Sequence, residues 1–305
     1  MRRLGGIALV AAGGIMLAAG CGETADKRSG GTSPPPSPSR SAAVAAPRPM
    51  ATMPAGTKVE LARKGRLQVC ESPGGLPYLG ASGPGVGGNG KVSGFEVDLL
   101  RLIAARLRAT PLFVRTDPAE LLDGGPLREK VCDVTPGLTA WGGFNKTFTL
   151  TRPYDHRSFA VLTKKGGPAT VAGLAGKRVG VFGSGGGDAA TDYATYLRKY
   201  NDAHGNAIHL IPQTDRLAQV AMLKAGRLDA VVTDDGRAAY NAKKDPTLTA
   251  GTPFGPGYTT VFAVRKGNKP LTRQINAALK DAATNGQYAK TYQDWFGHTP
   301  TWRPH

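Results

Sequence analysis

The side chains that most often do chemistry are few in this chain of 305 residues, and they are widely scattered. None of its five histidines has the spacing to a second ligand that a metal site requires; they are His156, His204, His209, His298 and His305. General acid–base catalysis needs two groups that converge in one cleft. Asp234, which ends an apolar run, is one candidate acid, but no convincing second group accompanies it. We therefore expect no metal, no cofactor and no catalytic site.

A glycine-rich stretch, Phe182-Gly183-Ser184-Gly185-Gly186-Gly187-Asp188, offers a different chemistry. It links a predicted strand to a predicted helix, where backbone N–H groups and the positive helix terminus favour an anion. Ser184 and Gly185 are therefore candidate ligand contacts. No Gly-Lys-Ser/Thr follows the glycines, so the pattern does not favour a phosphate-binding loop. A flexible connector is the alternative interpretation.

The elements that must position these residues alternate between strands and helices from Lys58 almost to the C-terminus. The strand patterns are Leu67–Glu71, Pro111–Arg115, Asp133–Gly137, Phe159–Thr163, Arg178–Phe182, Ile208–Pro212, Ala230–Thr233 and Thr259–Arg265. The helical patterns are Phe95–Arg108, Ala119–Lys130, Asp188–Tyr200, Arg216–Ala225, Asp235–Lys244, Lys269–Thr284 and Gln287–Phe296. This alternation predicts an α/β fold with a mostly parallel sheet and helices on both faces.

The N-terminal region carries signals for export rather than for folding. Two arginines precede an apolar stretch from Leu4 to Gly20, which is the layout of a signal peptide over residues 1–20. A membrane span is the weaker alternative, because the stretch is short and rich in glycine. Cys21 follows directly and resembles the lipid-bearing cysteine of bacterial lipoproteins, which would anchor the chain at the extracytoplasmic face of the cell membrane. Residues 21–57, rich in Pro, Gly and Ser, predict a disordered tether.

The formal net charge of +17 is spread over the whole chain. No zinc-finger spacing, aromatic RNA-binding motif or lysine-rich run accompanies it, so we expect no nucleic-acid partner. A solvated basic surface is the favoured interpretation, and attraction to anionic lipid or an anionic cell wall is the alternative.

Two cysteines remain besides Cys21, and an even pair in an oxidising compartment raises the question of a disulfide. Cys70 falls late in one predicted strand, and Cys132 falls just before another. If the two strands are parallel neighbours, four residues of offset at about 3.3 Å each separate the cysteines by more than the roughly 7 Å that a disulfide spans. This geometry argues against a Cys70–Cys132 bond.

Six segments resemble, in the same order, the motifs of one family; they are Gly94–Leu99, Lys130–Gly137, Thr151–Tyr154, Leu174–Val181, Leu223–Asp234 and Asn285–Gly297. The first of them reads Gly-Phe-Glu-Val-Asp-Leu. Together they look like solute-binding protein family 3, the extracytoplasmic receptors of polar amino-acid ABC importers. Each segment is a weak signal by itself, but six in register over about residues 60–297 are a strong one.

The resemblance implies a type II periplasmic-binding-protein-like fold, in which two lobes with mostly parallel, helix-flanked sheets are joined by two hinge crossings. Lobe 1 would comprise residues 58–155 and 258–299, and lobe 2 residues 159–254, with a tail at 300–305. The crossings would lie near Tyr154–Ser158 and Phe254–Tyr258.

The function implied is that of a lipid-anchored receptor, which binds a small polar, amino-acid-like ligand between the lobes and delivers it to ABC permease subunits. We expect a monomer. A ligand-sensing module for a membrane signalling partner is an alternative, and a dehydratase-type enzyme on the same fold is a less favoured one. The sequence does not separate transport from signalling.

The resemblance also assigns site residues. Asp234 occupies the family's ammonium-binding position, although an acid after a strand can instead cap a helix, a role that Asp235 could also fill. Gly137 and Thr139 occupy positions that face the ligand, and Ser184 stands near the residue that grips its carboxylate.

The chain departs from the family at its carboxylate clamp. Phe144 stands where the family has arginine, and Trp141 where it has threonine. Ser72 replaces the family's cleft acid, whereas Tyr78 keeps its place. Trp141 and Phe144 could offer a stacking face or simply pack. A replacement cation could come from Lys146, Arg152 or Arg157. Otherwise the ligand lacks a carboxylate there or is not an amino acid at all, and its identity stays open.

Overall fold

The computed structural model describes residues 46–72, 74–82, 91–140, 142–183 and 192–305. The predicted signal peptide, Cys21 and residues 22–45 of the predicted tether lie outside these ranges. No helix among the described residues has the length and apolar character needed to cross a membrane.

The described residues form twelve strands and eight α-helices. The strands are β1 (Arg66–Glu71), β2 (Gly80–Ser82), β3 (Lys91–Ser93), β4 (Thr110–Arg115), β5 (Val134–Thr139), β6 (Phe148–Leu150), β7 (Asp155–Lys164), β8 (Arg178–Phe182), β9 (His209–Gln213), β10 (Ala230–Asp234), β11 (Leu248–Ala250) and β12 (Phe254–Arg265). The helices are α1 (Phe95–Arg106), α2 (Pro118–Asp123), α3 (Gly125–Arg128), α4 (Tyr193–Ala203), α5 (Arg216–Lys224), α6 (Asp235–Lys244), α7 (Lys269–Thr284) and α8 (Gln287–Phe296). Short 3₁₀ helices lie at Gly142–Lys146 and Ala172–Leu174.

One sheet runs through the described chain in the order β4-β1-β5-β12-β7-β10-β8-β9, with β6 and β11 paired beside it. Its two ends are parallel, since β4, β1 and β5 run together and so do β10, β8 and β9. In the middle, β7 and β12 pair antiparallel to each other, with Arg157 opposite Tyr258. These two long strands overlap the ranges in which the sequence predicts the crossings, and the crossings themselves stay a prediction.

The apolar side chains gather in four clusters along this sheet. Two are built from buried residues between Leu67 and Tyr154 together with those between Phe262 and Phe296. The other two are built from buried residues between Phe159 and Leu248. The clusters thus fall within the ranges predicted for lobe 1 and lobe 2, whose boundaries stay a prediction.

One predicted helix is wrong as a single element. The pattern Ala119–Lys130 is divided into α2 and α3 because Gly124 adopts a left-handed conformation with φ 79° and closes α2. The start of the predicted helix Asp188–Tyr200 lies outside the described residues.

The expectation that Cys70 and Cys132 are unbonded is also wrong, because they form a disulfide with their Cα atoms 5.5 Å apart. β1 and β5 are indeed parallel neighbours, with Val69 opposite Val134. Cys132, however, lies in the irregular segment before β5, after a left-handed residue at Lys130. The spacing of an extended strand therefore does not apply to it.

The predicted tether reaches too far along the chain, because residues 48–53 are held against the buried cluster that contains Phe95 and Phe296. Met50 and Met53 pack on that cluster. The N–H of Met53 donates to the carbonyl of Arg106 at 2.9 Å, and the N–H of Ala51 donates to the carboxylate of Asp281 at 2.7 Å. Two methionines and these backbone bonds fix a segment whose composition alone predicts disorder.

Candidate ligand-binding site

A cavity of about 330 Å³ opens where β5 ends beside the two crossing strands. Its walls come from both halves of the sheet and carry one acid, three arginines and several hydroxyl groups. The residues lining it are Ser72, Gly74, Tyr78, Leu79, Glu96, Pro118, Leu121, Leu122, Thr135, Pro136, Gly137, Leu138, Thr139, Arg157, Tyr193, Arg216, Arg237, Tyr258 and Thr260. The volume matches the lower end of the range found for small-molecule sites.

The first turn of α1 places the acid of this cavity. Gly94 precedes the helix, and a β-carbon there would lie 1.9 Å from the carbonyl oxygen of Tyr78. The close approach lets the N–H of Glu96 donate to that same carbonyl at 3.0 Å. The helix terminus therefore brings the Glu96 carboxylate and the Tyr78 ring into one wall.

Arg157, on the crossing strand β7, neutralises that wall. Its guanidinium donates to Glu96 at 2.8 Å and to Asp155 at 2.9 Å, and its Cζ lies 3.4 Å from the centre of the Tyr78 ring. Tyr154 also donates its hydroxyl to Glu96, at 2.6 Å. Burial, with smaller contributions from Glu96 and Asp234, raises the pKa of Asp155 to about 6 despite the arginine.

Asp234 lies behind the opposite wall and is fully buried. Its side chain caps α6 by accepting from the N–H of Arg237 at 2.8 Å, and the Arg237 guanidinium binds its other oxygen at 2.8 Å. The hydroxyls of Tyr78 and Tyr193 donate to it at 2.6 and 3.2 Å. Burial opposes ionisation, but Arg237, Arg157 and Tyr78 outweigh it and hold the pKa of Asp234 below its usual range.

Arg216 differs from the other two arginines of the cavity. It begins α5, and its Cζ lies 3.6 Å from the centre of the Phe182 ring. Its Nη1 is buried and has no hydrogen-bond partner within the described part of the chain. Burial, together with the neighbouring Arg237, lowers the pKa of Arg216.

The structure places four of the nine predicted ligand contacts on the cavity wall; they are Ser72, Tyr78, Gly137 and Thr139. Asp234 is not on the wall, because Tyr78, Tyr193 and Arg237 cover its carboxylate. Phe144 is also elsewhere and packs beside Phe148, with ring centres 6.0 Å apart. Trp141, Ser184 and Gly185 lie outside the described residues.

Sequence reasoning missed part of the wall, notably Glu96, Arg216 and Arg237. Glu96 belongs to the Gly94–Leu99 motif, so that motif was a usable signal. Arg237 stands three residues after Asp234 in the same predicted helix start, a spacing that brings the two side chains together. Arg216 gave no comparable signal, because its neighbours Phe182 and Arg237 are distant in the chain.

No group of three or more histidine, cysteine or carboxylate side chains with the geometry of a metal site occurs among the described residues. The arrangement is thus one of hydrogen-bond donors and fixed ion pairs around a small cavity, which suits the binding of a polar molecule.

Curated relatives of the chain bind amino acids. The ABC transporter arginine-binding protein 1 of Escherichia coli strain K12 is 28% identical over 218 residues, which cover 69% of this chain and 84% of that protein. The L-cystine-binding protein TcyJ of the same strain is 29% identical over 217 residues, covering 69% and 77%.

Solved structures agree in fold. An ancestral arginine-binding protein bound to arginine superposes with a TM-score of 0.57 at 28% identity, covering 77% of this chain and 99% of that one. An ancestral cationic amino-acid solute-binding protein gives a TM-score of 0.65 at 23% identity, covering 77% and 97%, and supports the fold only. The predicted α/β fold of type II periplasmic-binding-protein kind is therefore confirmed. Residues 85–298 match the model of the bacterial extracellular solute-binding proteins, family 3, and the chain belongs to that family.

Proposed function

We propose that this chain is the solute-binding component of an ABC importer and holds a small polar, amino-acid-like ligand in the cavity between its two predicted lobes. It would hand that ligand to permease subunits in the membrane. The proposal gives the chain a binding role and no catalysis.

One observation carries the proposal. The cavity draws Tyr78, Glu96 and Thr139 from the range of lobe 1, and Arg216 and Arg237 from the range of lobe 2. A ligand held there would contact both halves at once, so it would favour whichever arrangement of the two crossing strands brings the halves together. That is the physical requirement for a receptor whose shape reports its occupancy.

The test is thermal unfolding of the full chain, in detergent, against a broad panel of amino acids, polyamines and small organic acids. A ligand present at 100 times its dissociation constant should add about 2.7 kcal/mol to the stability of the folded state. Replacing Thr139 with Trp, which fills the cavity, should abolish the shift. A panel without any stabilising compound would contradict the proposal.

We also propose, from the sequence, that Cys21 carries the lipid that keeps the receptor on the extracytoplasmic face of the membrane. A Cys21→Ala variant should then leave the membrane fraction for the soluble fraction of fractionated cells. Retention of this variant in the membrane would exclude lipidation at Cys21 as the anchor.

A further inference from the structure

The three arginines that line the cavity do not have equal numbers of carboxylate partners. Arg157 has two carboxylate partners, Glu96 and Asp155, and Arg237 has one, Asp234. Arg216 lines the same cavity and has no carboxylate within salt-bridge distance among the residues described. Among the residues that the structure describes, Arg216 is therefore the cavity arginine without a carboxylate partner.

A buried cation without a partner costs free energy unless something else supplies the negative charge. The Phe182 ring under Arg216 offers a weak attraction, but it leaves the buried Nη1 without an acceptor. Three other arginine nitrogens of the cavity wall are bound to carboxylates at 2.8–2.9 Å. Arg216 is thus preformed to receive an anionic acceptor, and its position on stacked Phe182 fixes its orientation.

Two more polar groups of the wall point to the same chemistry. The Oγ1 of Thr260 and the Nε of Arg237 are buried and have no hydrogen-bond partner in the described ranges. Both residues line the cavity. With Arg216 Nη1, they give the wall three polar groups that can donate and are not used within the chain.

The acceptor capacity of Asp234 is, in contrast, already consumed. A carboxylate accepts about four hydrogen bonds, and Asp234 receives four, from Tyr78, Tyr193 and both the N–H and guanidinium of Arg237. Glu96 accepts from Arg157 and Tyr154, both at Oε1. A ligand ammonium group would therefore have to displace one of the four partners of Asp234 to bind that carboxylate.

We propose that the cavity selects an anionic ligand, a small carboxylic acid without a required ammonium group, whose carboxylate binds Arg216. This inference rests on the proposed binding function and gives the ligand its chemical class. It also inverts the expectation from the sequence, in which Asp234 binds a ligand cation. The loss of the family's arginine at Phe144 is then offset from the other half of the molecule, at Arg216.

The decisive experiment is isothermal titration calorimetry of the full chain with glutarate, succinate, L-glutamate, L-arginine and L-cystine at neutral pH. We expect a dicarboxylate to bind at least about 30-fold more tightly than L-arginine, because one buried charge pair is worth that much. Glutarate should bind no more weakly than L-glutamate, since Asp234 has no free acceptor site for the added ammonium group.

The role of Arg216 is tested with Arg216→Gln, Arg216→Lys and the matched control Arg227→Gln. Arg227 is exposed in the turn after α5 and does not line the cavity. Arg216→Gln should weaken dicarboxylate binding about 30-fold, Arg216→Lys should retain part of it, and Arg227→Gln should leave it unchanged. Circular-dichroism melting checks that each variant is folded.

The outcomes separate the two proposals. Tighter binding of L-arginine or L-cystine than of every acid would overturn the anionic class and leave the binding function standing. Dicarboxylate affinity that survives Arg216→Gln in a folded protein would overturn the assignment of Arg216. No binding of any compound in this or the broader panel would contradict the proposed binding function itself.

Discussion

The ion pair with Arg237 determines whether Asp234 is available to bind a ligand. The acid stands at the end of β10, where a ligand contact is expected, yet the guanidinium three residues later binds it at 2.8 Å while the side chain of Asp234 has no exposed surface. An ion pair this well buried is strongly unfavourable to break, because the remaining charge has no water to solvate it. The pair therefore acts as part of the scaffold.

Replacing Arg237 with Leu should lower the free energy of unfolding by about 3 kcal/mol, since it leaves the Asp234 carboxylate buried without its counter-ion. Urea unfolding followed by circular dichroism measures the loss. The double variant Asp234→Asn with Arg237→Leu should recover about 2 kcal/mol of it, because neither charge then remains. Arg227→Leu, at an exposed position, is the control and should change stability by less than about 0.5 kcal/mol. An equal effect in both arginine variants would remove the ion pair as the cause.

Residue types alone could locate only part of the site. Ser72, Tyr78, Gly137 and Thr139 were predictable because each follows a strand or a recognisable motif, and such positions meet at one edge of a sheet. The state of Asp234 was not predictable to the same degree, because it depends on two tyrosine hydroxyls, from Tyr78 and Tyr193, that approach from other elements.

At the scale of elements, the disulfide joins the end of β1 to the irregular segment before β5. It closes a loop of 62 residues, and in the chain-entropy model such a loop contributes about 4 kcal/mol. The double variant Cys70→Ala with Cys132→Ala should lose about this much stability in urea unfolding. A reductant should destabilise the parent chain and leave the double variant unchanged. A loss below about 1 kcal/mol would show that the cross-link does not govern stability.

Two carboxyl groups, Asp155 on β7 and Asp235 at the start of α6, predict that the stability of the chain depends on pH. Asp155, which Arg157, Glu96 and Asp234 surround, has its pKa raised to about 6 by burial. Asp235, at the start of α6, has its pKa raised to about 7 by burial and by Asp234 and Asp155. Because the folded chain holds these protons more tightly than the unfolded chain does, their contribution to stability is full below about pH 4 and is lost as the pH rises through about 6 to 7.

The free energy of unfolding should accordingly fall by at least about 1 kcal/mol between about pH 5 and pH 7.5. Urea unfolding across this range measures it, and Asp155→Asn should make the profile shallower, because only Asp235 of the two carboxyl groups then titrates. A stability that rises over the same interval in the parent chain would contradict the assignment of these carboxyl groups.

Element positions followed closely from the sequence because the apolar runs are short and well bounded. The observed bounds of β8, α6, α7 and α8 are those predicted, and β1 begins one residue earlier than predicted. The errors arose where a single backbone conformation or a distant contact decides the outcome. Gly124 breaks one helix, and Lys130 turns the chain towards the disulfide. Met53 packs on an apolar cluster formed by residues far along the chain, which its own segment could not predict.

At the scale of the molecule, hydrogen bonds beside the cavity join the ranges predicted for the two lobes. Tyr78 donates its hydroxyl to Asp234 at 2.6 Å, and Arg237 donates to the carbonyl of Gly74 at 2.7 Å. Tyr78 is thus both a wall of the cavity and a tie across it.

Replacing Tyr78 with Phe should lower the free energy of unfolding by about 1–3 kcal/mol, since the buried carboxylate loses a donor. It should also raise the radius of gyration measured by small-angle X-ray scattering, because one tie between the halves is removed. Tyr288→Phe is the matched control, since the Tyr288 hydroxyl is buried without a hydrogen-bond partner among the described residues. That control should be neutral or stabilising. Identical behaviour of the two variants would argue against the tie.

The position of the disulfide has a consequence for solute capture. The segment it encloses carries part of one side of the cavity, including Ser72, Tyr78 and Glu96. Thiol reductants in the surroundings would therefore loosen that side before the opposite one, which is held by β8, β9 and β10. We therefore expect the chain to hold a bound solute less tightly once the disulfide is reduced.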